Sequence, residues 1–275
     1  MRKLFYTILT VTFVAIFVSC NPIQDQVDYG TVITSADQIT ATVTPVMDGA
    51  LKTNKVKVHC TSPVSCQWSD GVKTYISNDT VMTLFVKGDI SLKLTAMSVD
   101  GTVLIKSFTT TVDEMKYPVE PQYGYFCGSG SKTWTWATAE KCFGNGGGGD
   151  TKPAWWTLTS DDITGQCSGK NLPADGTGAT MKFTLNGLTL TKTSVGGATV
   201  TGKFSFDMSA GKAGWSIGTL TVLNTNVLCG YDFNATVYTA WTTYNIISLD
   251  ANKMVLGVQE HAPNSNYWYY VFKAL

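Results

Sequence analysis

The chain has 275 residues, 44% hydrophobic, 12% aromatic and only 15% charged, and its 20 basic and 20 acidic side chains cancel. That composition belongs to a globular protein with material for more than one core, and it excludes a disordered or fibrous chain. Arg2 is the only arginine, so the bidentate guanidinium contacts and basic surface needed for nucleic acid are missing, which argues against such a partner and against a clamp for acidic ligands.

Arg2 and Lys3 precede an apolar run from Leu4 to Val18 that leads directly into Ser19-Cys20. A run this short and this close to the start, ending in a small residue before a cysteine, is a secretory signal rather than a spanning helix. Phe17-Val18-Ser19-Cys20 resembles the lipobox of bacterial lipoproteins. The resemblance implies a signal peptide over 1–19, lipid on Cys20 and anchorage to the outer membrane at the cell surface. The polar residues 20–35 read as a tether. Setting Cys20 aside leaves Cys60, Cys66, Cys127, Cys142, Cys167 and Cys229, which an exported chain can oxidise. Cys60 and Cys66 are close enough to bridge across a turn containing Pro63, and the other four allow three pairings. With only His59 and His261 and no CxxC, zinc is not expected, and no other cofactor is.

Residues 36–114 show short alternating segments separated by turn signals, as in a two-sheet sandwich. Strands are expected at Ile39 to Thr44, stopped by Pro45, then at Lys55 to Cys60, Gln67 to Ser69, Thr80 to Val86, Ile90 to Met97 and Val103 to Val112. Trp68-Ser-Asp-Gly71, Gly88-Asp-Ile-Ser-Leu-Lys-Leu94 and Asp100-Gly101 resemble a PKD-type immunoglobulin-like domain, which implies a spacer. Residues 115–122, MKYPVEPQ, carry two prolines and no periodicity, and the domain boundary is placed there.

Residues 123–275 are again β-rich, with no convincing helical stripe. The segment from Phe126 to Ser160 holds four of the eight tryptophans beside Gly144 to Asp150, GNGGGGD, which reads as a loop. Trp134 and Trp136 share a strand face and read as core. Trp155 and Trp156 are adjacent, so one of them must look outward. Alternation marks Met181 to Leu185, a turn or bulge at Asn186-Gly187, then Gly202 to Met208, Ile217 to Leu223, Val227 to Tyr231, Thr242 to Leu249, Met254 to Gln259 and Tyr267 to Lys273. One-sided alternation suits antiparallel sheets, either an up-and-down barrel or a sandwich. The order of MKFTLNGLTL, GKFSFD, YNIISLDANKMVLGV and YWYYVFK resembles the lipocalin-like domains of Gram-negative surface lipoproteins, which favours a barrel with the glycine loop inserted after its first strand. The expected fold is therefore all-β: an immunoglobulin-like sandwich followed by a C-terminal antiparallel barrel, lipocalin-like, or a second sandwich.

Chemistry is sparse in this half. Its nine acids, Glu140, Asp150, Asp161, Asp162, Asp175, Asp207, Asp232, Asp250 and Glu260, lie mostly in turn-like settings, and no acid pair of glycosidase type stands out. No GxSxG occurs, and no Lys-Ser/Thr follows the glycines as a phosphate loop requires. Calcium on loop oxygens of Asp150, Asp161 or Asp162 is an open alternative. An exposed indole, by contrast, stacks on the C–H face of a sugar while amides take its hydroxyls. The candidate ligand-binding residues are Trp155, Trp156, Trp215, Trp241, Asn145 and Asp150, with Trp268 placed in the core by its alternation with Tyr270 and Phe272. Anchor, spacer and terminal β domain together resemble the surface glycan-binding proteins of Sus-type polysaccharide uptake systems. The resemblance implies a non-catalytic protein with a polysaccharide or oligosaccharide ligand, expected to be neutral, and an outer-membrane transporter complex as a partner. Rival readings are a glycoside hydrolase, a lipocalin-like binder of a small apolar ligand, and a structural or adhesive lipoprotein.

Overall fold

Period-two alternation builds two β units whose inner faces form two hydrophobic cores. The structure is a computed structural model describing residues 30–138, 141–234, 237–260 and 266–275. The expected signal peptide, Cys20 and the expected tether as far as residue 29 lie outside the described residues, as do Glu140 and His261.

The first unit comprises β1 (Ala41–Asp48), β2 (Leu51–Cys60), β3 (Ser65–Ser69), β4 (Thr74–Ile76), β5 (Asp79–Thr83), β6 (Gly88–Met97) and β7 (Val103–Val112). They form two sheets, β1-β2-β5 and β4-β3-β6-β7, an immunoglobulin-like sandwich in which the chain crosses between sheets from β2 to β3 and again on either side of β5. Val56, Val58 and Met82 from one sheet are buried with Trp68, Leu92 and Leu94 from the other. Pro45 does not end β1, contrary to expectation. β1 is an edge strand, so the missing N–H breaks no ladder on its open side, and the register shifts between Pro45 and Met47. The tether also ends earlier than the sequence suggests: Ile33 is buried in the sandwich, and its N–H donates to Ser98 Oγ at 2.8 Å.

No helix or strand occupies residues 115–121, yet the segment is held. Buried Asn54 donates to the Tyr117 carbonyl at 2.9 Å and accepts from the Tyr117 N–H at 2.9 Å. The two units touch directly at a pair of turn glycines, where Gly187 N donates to Gly71 O at 2.9 Å. A Cβ on Gly71 would come within 2.5 Å of Asn186 Oδ1, so this close approach requires glycine. Phe85 packs on Tyr123 and Tyr123 on Phe206, carrying aromatic contact across the same junction.

The second unit begins with α1 (Gln122–Cys127), then β8 (Ser131–Trp136), β9 (Phe143–Gly147), β10 (Thr157–Leu158), α2 (Ser160–Gly169), β11 (Thr180–Thr184), β12 (Thr189–Thr193), β13 (Thr199–Asp207), β14 (Gly218–Leu223), β15 (Thr243–Leu249), β16 (Lys253–Gln259) and β17 (Asn266–Ala274). Eight strands, β8 and β11 to β17, close into an up-and-down antiparallel barrel through the β17–β8 pairing. Its interior is filled: Trp136 lies 4.7 Å from Phe272 and 6.5 Å from Tyr270 between ring centroids, and Phe126 meets Phe183 at 5.1 Å and Phe204 at 5.7 Å.

Two further expectations are corrected. Val227 to Tyr231 is not a strand but a turn buried against the barrel, with Cys229 at φ +53°. Its apolar run reports burial, which a plug at a barrel end needs as much as a strand does. A ten-residue helix, α2, also occurs where no stripe was expected, because only Ser160, Ile163 and Cys167 of it are buried.

Candidate functional site

The glycine segment shapes the site, and it does so as a strand. Phe143–Gly147 pairs with Asn266 to Tyr270 of β17, end to end with β8 on the same side of that strand, so the barrel's first strand is split by an excursion. β9 then turns back and pairs through Gly144 and Phe143 with β10. The expectation of an irregular loop holds for the turn at 148–150 but fails from Gly144 to Gly147, where glycine answers a need for space. A Cβ on Gly144 would lie 2.0 Å from the Trp156 carbonyl, and one on Gly146 would meet Asp150 Oδ2 at 2.6 Å and Tyr269 at 3.2 Å.

Asn145 sets the path of the segment that returns from β9. Its N–H donates to Trp156 O, its carbonyl accepts from the N–H groups of Ala154 and Trp155, all at 3.0 Å, and its Oδ1 accepts from Trp156 N at 2.9 Å. Trp155 and Trp156 both reach solvent, with 59% and 39% of their surface exposed. Trp156 sets an edge against Phe143 and Trp268, 6.4 and 6.0 Å between centroids. Trp155 lies over Gly147, near enough for a Cβ there to meet its ring at 3.2 Å.

Beside Trp156 is a pocket of about 260 Å³ at one end of the barrel. Trp156, Trp268 and Phe233 supply its aromatic walls, Asn145, Gln166 and Asn234 its amides, and Lys170 a cation. Gln166 and Lys170 are four residues apart, so α2 and the turn that ends it carry both on one side. Thr159 caps that helix: the Asp162 carboxylate accepts from Thr159 N at 3.0 Å and Oγ1 at 2.7 Å, and these bonds hold Asp162 below the usual carboxylate range. Phe233 and Asn234 sit on the segment between β14 and β15. Cys167 and Cys229 join that segment to α2, their sulfurs 3.4 Å apart. Either thiol can donate in this contact; burial pushes the Cys229 thiol well up, and the contact with Cys229 lowers that of Cys167.

Beneath this end of the barrel, Asp175 accepts from Lys192 Nζ at 2.9 Å, Ser194 Oγ at 2.6 Å and Cys229 N at 3.0 Å, and its carbonyl accepts from Trp136 Nε1 at 2.5 Å. Every group in this buried cluster has a structural use, the only arrangement in which an ion pair so deeply desolvated is tolerable.

Of the residues expected at a site, Asn145 and Trp156 therefore meet in one pocket. Trp215 does not join them. It covers Gly257 and lies 5.0 Å from Tyr267, on the face of β17 opposite Trp268. Asp150 shapes a turn rather than facing the pocket: its Oδ2 accepts from Gly147 N at 2.7 Å and its carbonyl from Trp215 Nε1 at 2.7 Å. Trp241 is only 6% exposed and packs in the barrel core, so it presents no face to a ligand. Trp268 is core, as its alternation implies, and also a wall of the pocket. Gln166, Lys170, Phe233 and Asn234 were missed. The four-residue spacing of Gln166 and Lys170 was a visible signal, but only once a helix is placed there.

No protein-family model matches the chain, and no curated protein matches it.

Proposed function

We propose that this is a non-catalytic, lipid-anchored carbohydrate-binding protein of the cell surface, in which a sugar ring stacks on Trp156. The observation that carries this reading is an indole 39% exposed at the mouth of a pocket that pairs aromatic walls with three amide side chains. Flat C–H faces and rim hydroxyls are what such a pocket recognises. Trp155, the more exposed neighbour, offers a second ring outside the pocket for a longer chain. The lipobox-like start, the sandwich as spacer and the terminal barrel fit a Sus-type surface protein with an outer-membrane transporter as partner.

Binding without cleavage is favoured over hydrolysis by where the nearby acids point. Asp232 Oδ1 accepts from Asn234 N at 3.1 Å, and Glu260 accepts from Asn234 Nδ2 at 2.6 Å and Asn266 Nδ2 at 3.3 Å. Both carboxylates are buried and occupied in shaping the pocket, and neither lines it among the described residues.

The test is affinity gel electrophoresis against plant and microbial polysaccharides. Trp156→Ala, checked for folding by circular dichroism, should lose on the order of 2 kcal/mol, about thirtyfold in affinity, the scale of a binding hot spot. A folded Trp156→Ala that is retarded like the wild type in every gel places the site elsewhere.

A further inference from the structure

We infer that the sugar unit taken by this pocket carries a carboxylate, with the Lys170 ammonium as its counter-charge; the inference rests on the carbohydrate reading of the same pocket. The pocket's lining side chains include a cation and no anion, and its three amides each offer both a donor and an acceptor. Lys170 Nζ commits one bond, to Phe233 O at 3.0 Å, and forms no ion pair among the described residues. The rings of Phe233 and Tyr238, with centroids 5.6 and 5.2 Å away, hold the ammonium in place. Trp268 Nε1–H is buried and has no acceptor among the described residues. Glu260, the acid linked to Asn234, accepts from Asn234 and Asn266 and does not line the cavity.

A buried indole N–H left unmet is costly, so the favoured ligand is one that supplies an acceptor to Trp268 and a negative charge to Lys170. A sugar hydroxyl accepts, but it also carries a proton that needs an acceptor in turn. A carboxylate accepts only, and its charge is opposite to that of Lys170. At about 260 Å³ the pocket suits a single terminal or branching unit rather than a length of chain. The single arginine and the balanced charge of the whole chain pointed to a neutral ligand. Preference at a site, however, follows the charges that line it rather than the net charge.

The experiment sets polygalacturonate, alginate, glucuronoxylan and hyaluronan in affinity gels, each beside its own carboxyl-reduced form, with dextran and dextran sulfate as neutral and sulfated controls. At least one uronate polymer should retard the wild type and lose that effect on carboxyl reduction. Lys170→Met should weaken retardation about tenfold or more, and Lys170→Arg should restore much of it. Should Lys170→Met fail to fold, the carboxyl-reduced polymers still decide, since they require no variant. Equal retardation by the acidic and reduced forms, abolished in Trp156→Ala, would leave the stacking site standing and overturn the carboxylate. Retardation by dextran sulfate alone, or a folded Lys170→Met with unchanged affinity, would also overturn it. No retardation by any polymer would remove both readings.

Discussion

Trp215 donates its indole N–H to the carbonyl of Asp150 at 2.7 Å, joining residues 65 apart in sequence. The bond ties the turn after β9 to the segment before β14, and the ring beneath it covers Gly257. Trp215 thus acts on the site from outside the pocket, by fixing one end of the segment that carries Trp155 and Trp156.

Trp215→Phe keeps most of the ring and removes the donor. It should cost about 1 kcal/mol in stability, the scale of one hydrogen bond. Amide exchange at residues 148–156 should accelerate while the barrel strands remain protected. Unchanged protection in that segment would mean that the bond does not restrain it.

Gly144 and Gly149 both have positive φ, +153° and +101°, but a Cβ on Gly149 meets nothing within 4 Å whereas one on Gly144 would lie 2.0 Å from Trp156 O. Gly149→Ala should therefore cost about 1 kcal/mol, from conformation alone. Gly144→Ala should cost about 3 kcal/mol or more and separate β9 from β10. Similar losses in thermal melts of the two variants would contradict the close approach.

Asp175 and Lys192 form the most deeply buried ion pair among the described residues. Asp175→Ala leaves the Lys192 charge uncompensated and should destabilise by about 3–5 kcal/mol. Adding Lys192→Met removes that stranded charge, so the double variant should be no less stable than Asp175→Ala. Denaturant melts giving additive losses would mean that the two groups do not interact.

Three tyrosines should govern stability at alkaline pH. Burial pushes Tyr269 to about 12, helped by the nearby Asp150 charge, and holds Tyr244 and Tyr270 well above their ordinary value. Their neutral forms are favoured by folding, so this contribution is complete below the unfolded tyrosine pKa, near 10. It falls as pH rises towards the folded values, because in that window the native state binds more protons. In an ultraviolet titration these phenols should ionise only together with unfolding. Ionisation of every tyrosine near pH 10 in a protein that stays folded would refute their burial.

Alternation in the sequence was enough to specify two antiparallel β units, because a strand with one face buried must place apolar residues two apart, and a slip of one residue would expose them all; that the second closes as a barrel was decided by the β17–β8 pairing. It also set Trp134 and Trp136, which share a strand face, apart from the adjacent Trp155 and Trp156, of which local geometry required only one to look outward; in the structure both reach solvent. What it could not show was why residues are apolar or small. Val227 to Tyr231 is apolar as a plug and not as a strand, and Gly144 and Gly146 are glycine because Trp156 O, Asp150 and Tyr269 occupy the space of a side chain. Both reasons lie in neighbours distant in sequence or on the opposite strand. The pocket itself belongs wholly to the tertiary structure. Trp156, Lys170, Phe233 and Trp268 carry no shared period, and they converge because barrel closure brings β17 beside β9 while the Cys167–Cys229 contact sets α2 against the plug. Local pattern encodes which face of an element is buried, but which elements meet is decided only when the sheet closes and the cores fill.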